Sequence, residues 1–193
     1  MAGKAKAAPK GGELLICGSG LDPSQMTLGT ASALRRCRVV YTHYDTEELI
    51  AALKGMGLKV RPLKVPGESE RAAQLEQVLA ELSAELKKGD AAFVAYGHPL
   101  LFNHFGREFL AWAREGKRRH RVLPALSLVD SLLATLWPEL NVGYEGFAVQ
   151  HAFGILQDPT QLHPRRPAIV YYVQDAAQAG RLDAFCDALE TVY

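Results

Sequence analysis

The chain has 193 residues, 48% apolar and 22% charged, enough for one domain or two small ones around a sizeable core. Its formal net charge of +1 carries no electrostatic signature of a nucleic-acid or membrane-surface protein. The cysteines Cys17, Cys37 and Cys186 lack CxxC spacing and read as small buried residues in a reducing, cytoplasmic compartment, not as a disulfide or zinc framework. No apolar run reaches the length of about 18 residues that would read as a membrane span. The opening MAGKAKAAPKGG is basic with no apolar stretch after it, so residues 1–11 are expected to form a flexible tail and not a secretory signal.

In chain order, ELLICGSG is predicted as a first strand ending in two glycines. Met26, Leu28, Ala31 and Leu34 then recur at roughly helical spacing through DPSQMTLGTASALRRC. RVVYTHYD reads as a second strand, Thr46 to Gly55 as a helix ending on glycine, and KVRPLKV as a third strand. GESERAAQLEQVLAELSAELKKGD is the clearest helix, with Leu75, Val78, Leu79, Leu82 and Leu86 on one stripe and Lys87-Lys88-Gly89 closing it. AAFVAYG is a fourth strand, HFGREFLAWAREG a helix, RHRVLPA strand-like, and SLVDSLLATLWPEL a helix. Continuous apolar strands alternating with helices predict an α/β domain with a mostly parallel sheet over residues 12–140. Beyond it NVGYEGFAVQHAFG is weakly patterned, PAIVYYVQD reads as a strand, and AGRLDAFCDALETVY as an amphipathic helix. Residues 141–193 are expected to begin a smaller α/β domain that is incomplete, because no later strand follows that helix.

Ligands of open α/β sheets lie outside the carboxyl ends of the strands, and three exits have unusual chemistry. GSGLDP matches two glycines of a dinucleotide fingerprint, but Pro23 stands where the third belongs. It reads as a tight strand-to-helix turn or, with Asp45 as the ribose acid, as a nucleotide site. In YGHPLLF, Gly97 permits a sharp turn or a close approach of backbone to ligand, and Pro99 stiffens it. Tyr96 offers a hydroxyl at the sheet edge. Either a ligand seat or a plain turn with a surface histidine, His98, fits those residues. LPALS brings Pro124 and a helix start at Ser127, with Asp130 in a capping-box position; an N-cap and a ligand contact both remain open. No histidine pair has metal-ligand spacing, the GxSxG elbow of hydrolases is missing, and REGKRRHR (residues 114–121) reads as a solvated basic face.

The three exits, in this order, resemble those of the tetrapyrrole methylase superfamily, the class III S-adenosylmethionine-dependent methyltransferases. The resemblance runs from Gly12 to Tyr193 and is nearest to the borosin-type peptide backbone N-methyltransferases, which carry YGHPGVF and LPGVSAED where this chain has YGHPLLF and LPALSLVD. Leu100 and Ala125 replace glycines of that pattern, and Val129 replaces an acid. The tyrosines that flank the borosin arginine have no counterpart in RPLKVPG and RAAQLEQ. The resemblance implies S-adenosylmethionine as cofactor, a two-domain homodimer, and a peptide or small-molecule substrate, with neither nucleic acid nor membrane as partner. It implies catalytic roles for Arg71 and Tyr96. Cofactor contacts would come from Gly18, Gly97, His98, Pro99, Leu101, Phe102, Ser127, Leu128 and Tyr172. Methyl transfer to a backbone amide needs donors aimed at the amide oxygen, and arginine and tyrosine are suited to that task. Methylation of a corrin or porphyrin carbon, and a non-catalytic binding or scaffold protein of the same fold, are the alternatives.

Overall fold

The computed structural model describes residues 11–43, 46–63, 71–140 and 146–193. Residues 1–10 of the tail expected over 1–11 lie outside them, as do Asp45 and the side chain of Arg71. The chain divides into two compact units, Met1–Leu128 and Val129–Tyr193.

In the first unit β1 (Leu14–Gly18), β2 (Val39–His43), β3 (Val60–Leu63), β4 (Ala91–Ala95) and β5 (His120–Val122) form one sheet in the order β3-β2-β4-β1-β5. Every pair is parallel; β1 and β4 align Leu14 with Ala91 and Gly18 with Ala95. All residues of β1 and β4 are buried, because helices cover both faces of the sheet. Leu14, Ile16 and Phe93 pack toward α3 (Arg71–Leu86) and α4 (His104–Glu115), against Val78, Leu82, Phe105 and Phe109. The alternate residues Leu15, Cys17, Ala92 and Val94 pack toward α1 (Leu28–Leu34) and α2 (Glu47–Gly55), against Leu34, Leu49 and Leu53. The period of two along each strand therefore feeds two separate cores. Pro62 lies in β3, an edge strand, where its missing N–H costs least.

Local chemistry sets the helix starts. The side chain of Thr27 accepts from Thr30 N at 3.0 Å, and that of Asn103 from Gly106 N at 2.8 Å. Of the stretch expected to be helical from Met26 onward, Met26 itself stays outside the helix. A 3-10 turn, Pro23–Gln25, capped by Asp22, precedes it, and α1 begins at Leu28. Because β1 and β4 are neighbours whose following helices lie on opposite faces, a crevice opens at their carboxyl ends.

Helix α5 (Leu128–Leu140) starts at the division between the units, and the boundary expected at residue 140 lies at its other end. In the second unit β6 (Ala148–His151) pairs in parallel with β7 (Ala168–Tyr171). Around them α6 (Ala152–Gln157), α7 (Val173–Gln178) and α8 (Leu182–Glu190) enclose a small core of Ala152, Ile155, Leu162, Ala176, Phe185 and Ala188. The predicted strand PAIVYYVQD is shorter than its residue types suggest. Tyr172 adopts a left-handed backbone (φ 63°), which ends the extended run, and Val173 opens a helix instead.

Candidate active site

Three exits of the first unit converge at the β1–β4 crevice. A Cβ on Gly18 would overlap the carbonyl oxygen of Gly97 and stand 2.9 Å from the Ala125 methyl. The β1, β4 and β5 loops therefore touch one another at Gly18, and only glycine leaves room there. Ser19, fully buried, ties the first two together: its N–H donates to Ala95 O at 2.9 Å and its hydroxyl reaches Gly20 O at 2.9 Å. Gly97 N in turn donates to Gly20 O at 2.8 Å. Both glycines have positive φ, 80° at Gly20 and 73° at Gly97. A Cβ at Gly97 would meet nothing nearer than Leu21 Cδ2 at 3.7 Å. The left-handed backbone, and not crowding, is what calls for glycine there.

The rest of the YGHP turn is built inward from this point. Pro99 is buried and its carbonyl oxygen lies where a Cβ of Gly106 would go, so the first turn of α4 presses directly on the loop. Leu100 N donates to His98 Nδ1 at 3.2 Å, which leaves Nε2 as the protonated nitrogen of a neutral ring. Leu100 packs against the core on the α3–α4 side. Leu101 and Phe102 lead into α4, Phe102 with φ 51°. Ala125 is accommodated because the facing Gly18 has no side chain. Ser127 is buried, whereas Leu126 and Leu128 beside it are exposed.

Tyr96 is 50% exposed and its hydroxyl has no hydrogen-bond partner among the described residues. It lines a cavity of ≈ 490 Å³ with Pro23, Thr46, Glu47, Glu48 and Leu49. Glu47 and Glu48, in the first turn of α2, thus share this cavity with Tyr96. The structure brings Gly18, Tyr96, Gly97, His98 and Pro99 together with Ala125 at one end of the sheet. Arg71 opens α3. Tyr172 belongs to the second unit, at the end of β7, where its ring stacks on His151 at 4.5 Å between centroids.

Sequence reasoning noted Gly20 only as a fingerprint glycine and did not single out Ser19, yet the two hold the first two exits together. It also passed over His43 and Asn103, whose side chains meet at 3.2 Å between the ends of β2 and β4. The second glycine of GSG was the available signal for the first pair. No sequence spacing marks the second, because residues 43 and 103 meet only through the β2–β4 pairing. Of the three thiols, Cys17 is buried and Cys37 half-buried, but Cys186 is exposed, contrary to the expectation of burial. Amphipathic α8 turns that position to solvent.

A parallel sheet with glycine-rich, GHP and Pro-small-x-Ser exits meeting at one crevice is the arrangement of a cofactor-dependent α/β transferase. The sequence pattern of the Tetrapyrrole (Corrin/Porphyrin) Methylases matches residues 13–182, and the chain belongs to that family of S-adenosylmethionine-dependent methyltransferases. Among solved structures it is similar to uroporphyrin-III C-methyltransferase from Thermus thermophilus (TM-score 0.64, 21% identity, 94% of this chain and 74% of that one). The same Thermus enzyme in complex with S-adenosylhomocysteine gives a TM-score of 0.61 at 22% identity, over 91% and 77% of the two chains. A cobalamin-synthesis-related protein from Corynebacterium diphtheriae gives 0.64 at 18% identity, over 82% and 71%. No curated protein sequence matches the chain. Among the described residues, no helix is long and apolar enough to cross a membrane, and no cluster of three metal-ligating side chains occurs.

Proposed function

We propose that this methyltransferase acts on a neutral or cationic acceptor of peptide or secondary-metabolite type, methylating nitrogen as the borosin-type enzymes do. The observation that supports this reading is the cavity at Tyr96, whose lining among the described residues carries Glu47 and Glu48 and no cationic side chain. Carboxylates at the mouth repel a polycarboxylate macrocycle and attract a neutral or positive acceptor.

The cofactor's fit rests on the exits. Gly97 is buried, and within 4 Å a Cβ there would meet only Leu21 Cδ2, at 3.7 Å; exposed Leu126 and Leu128 offer apolar contact beside buried Ser127. With these, Gly18, His98, Pro99, Leu101 and Phe102 would hold S-adenosylmethionine; Tyr172 is a cofactor residue by the family resemblance alone. Leu100 does not fill the seat, since its side chain packs toward the core. Bound there, the cofactor would supply an electrophilic methyl group. The chain's own residues would hold the acceptor in line with it and exclude water, the contribution that matters most in such displacements. Tyr96, with its hydroxyl uncommitted, would donate to the acceptor's amide oxygen and stabilise the charge that gathers there. Arg71, at the start of α3, would supply the second donor. A homodimer is part of this reading, through the family resemblance.

Methylation of a corrin or porphyrin carbon is the second reading, favoured by the family's description and by the uroporphyrin-III enzymes among its structural neighbours. Mass spectrometry of acceptors incubated with enzyme and S-adenosylmethionine tests both. A 14-Da gain on a peptide or amide acceptor that is lost in Arg71→Ala supports the first. Methylation of uroporphyrinogen alone, with Arg71→Ala as active as the wild type, rejects it. No cofactor binding by the folded protein would leave the scaffold reading.

A further inference from the structure

The opposite edge of the same sheet carries a second concave site. Gly11 and Gly12 before β1, Ser83, Leu86 and Lys87 at the end of α3, and Gly116 to Arg119 after α4 line a pocket of ≈ 250 Å³. Among the described residues its lining holds four cationic side chains, Lys87, Lys117, Arg118 and Arg119, and no carboxylate.

Cations at helix C-termini ordinarily offset the terminal carbonyls, and Arg118 does so. Its Nη1 donates to Trp112 O at 2.7 Å and its guanidinium lies over the Trp112 ring at 3.7 Å. That contact fixes the guanidinium and leaves further N–H groups to donate. Arg119 reaches only Gly11 O, at 3.4 Å. The side chains of Lys87 and Lys117 make no hydrogen bond or ion pair among the described residues. By contrast their neighbours Lys88 and Arg121 are paired, with Glu85 at 3.5 Å and Glu13 at 3.3 Å. The acids of this edge thus neutralise the cations outside the pocket and leave those that line it uncompensated. A net charge of +1 over the whole chain conceals this concentration.

We infer that this amino-terminal edge of the first unit is a binding site for a small, multiply charged phosphate ligand, separate from the methyl-transfer site. Two arginine forks match phosphate oxygens in paired hydrogen bonds, and two lysines add point charge. The pocket's small volume of ≈ 250 Å³ suits a di- or triphosphate group in preference to an extended polymer.

Calorimetric titration of the full chain with inorganic diphosphate tests the site, at low and at raised potassium chloride. One saturable site is expected, weakened by salt and weakened at least tenfold in Lys117→Glu/Arg119→Glu. The remote exposed variant Arg165→Glu should bind as the wild type does. The milder pair Lys117→Gln/Arg119→Gln, checked by circular dichroism, secures the comparison against misfolding. Absence of saturable binding, equal binding by wild type and pocket variants, or binding of long nucleic acid without diphosphate would each overturn the assignment. Binding of S-adenosylhomocysteine should be unchanged in both pocket variants, so failure here is distinguishable from failure of the methyltransferase reading.

Discussion

Gly18 and Gly97 stand so close across the ends of β1 and β4 that a methyl group on Gly18 would overlap the Gly97 carbonyl. The obstacle is backbone, which cannot swing aside as a side-chain tip can. Gly18→Ala should therefore cost about 1–3 kcal/mol of stability, the range for forced overpacking. Urea unfolding measures it. An unchanged midpoint would mean that the two exits are not in contact.

Tyr96 is half exposed and its hydroxyl bonds to nothing among the described residues. Tyr96→Phe should leave stability within about 0.5 kcal/mol, as exposed substitutions do. If the phenol donates to the acceptor, kcat falls by about 100-fold, the scale for losing one such donor, with little change in KM. Equal kcat in the two proteins would remove Tyr96 from the chemistry.

Thr42 is fully buried near the end of β2, and its hydroxyl has no hydrogen-bond partner among the described residues. Valine has the same shape without the polar atom, so Thr42→Val should be neutral or stabilise by up to about 1 kcal/mol. A thermal melt decides. A drop in Tm would show that the hydroxyl is satisfied in solution.

The thiols should separate by reactivity. Burial, reinforced by Cys37, pushes the Cys17 thiol far up, and burial followed by the Asp90 charge pushes Cys37 up to about 11. A raised value keeps each in the unreactive thiol form at pH 8, whereas Cys186 is exposed. A thiol reagent should modify one equivalent rapidly in the native protein and three after unfolding. Fast modification of two or three native thiols would contradict the packing around β1.

Much of the fold was legible because its signals are local. The apolar runs of β1 and β4, the stripe from Leu75 to Leu86 and the glycine exits each state their own structure. Elements whose identity depends on tertiary context were not. AVQH forms β6 only by pairing with β7, and Val173 is helical because Tyr172 turns left-handed, which a β-branched and aromatic run conceals. The site divides in the same way. GSG and YGHP announced turns, but their contact through Gly18, and the acids beside Tyr96, arise from strand order. Leu100 and Ala125 replace glycines of the borosin pattern; packing sends the first toward the core and gives the second the space left by Gly18.

Calorimetry with S-adenosylhomocysteine on wild type and Gly97→Ala tests the proposed cofactor seat at Gly97 most directly. The added methyl is sterically tolerated by the protein but strains a backbone at φ 73°, at about 1–2 kcal/mol. The prediction is micromolar binding by the wild type and at least tenfold weaker binding by the folded variant. No binding by the folded wild type, or equal binding by both proteins, would contradict it.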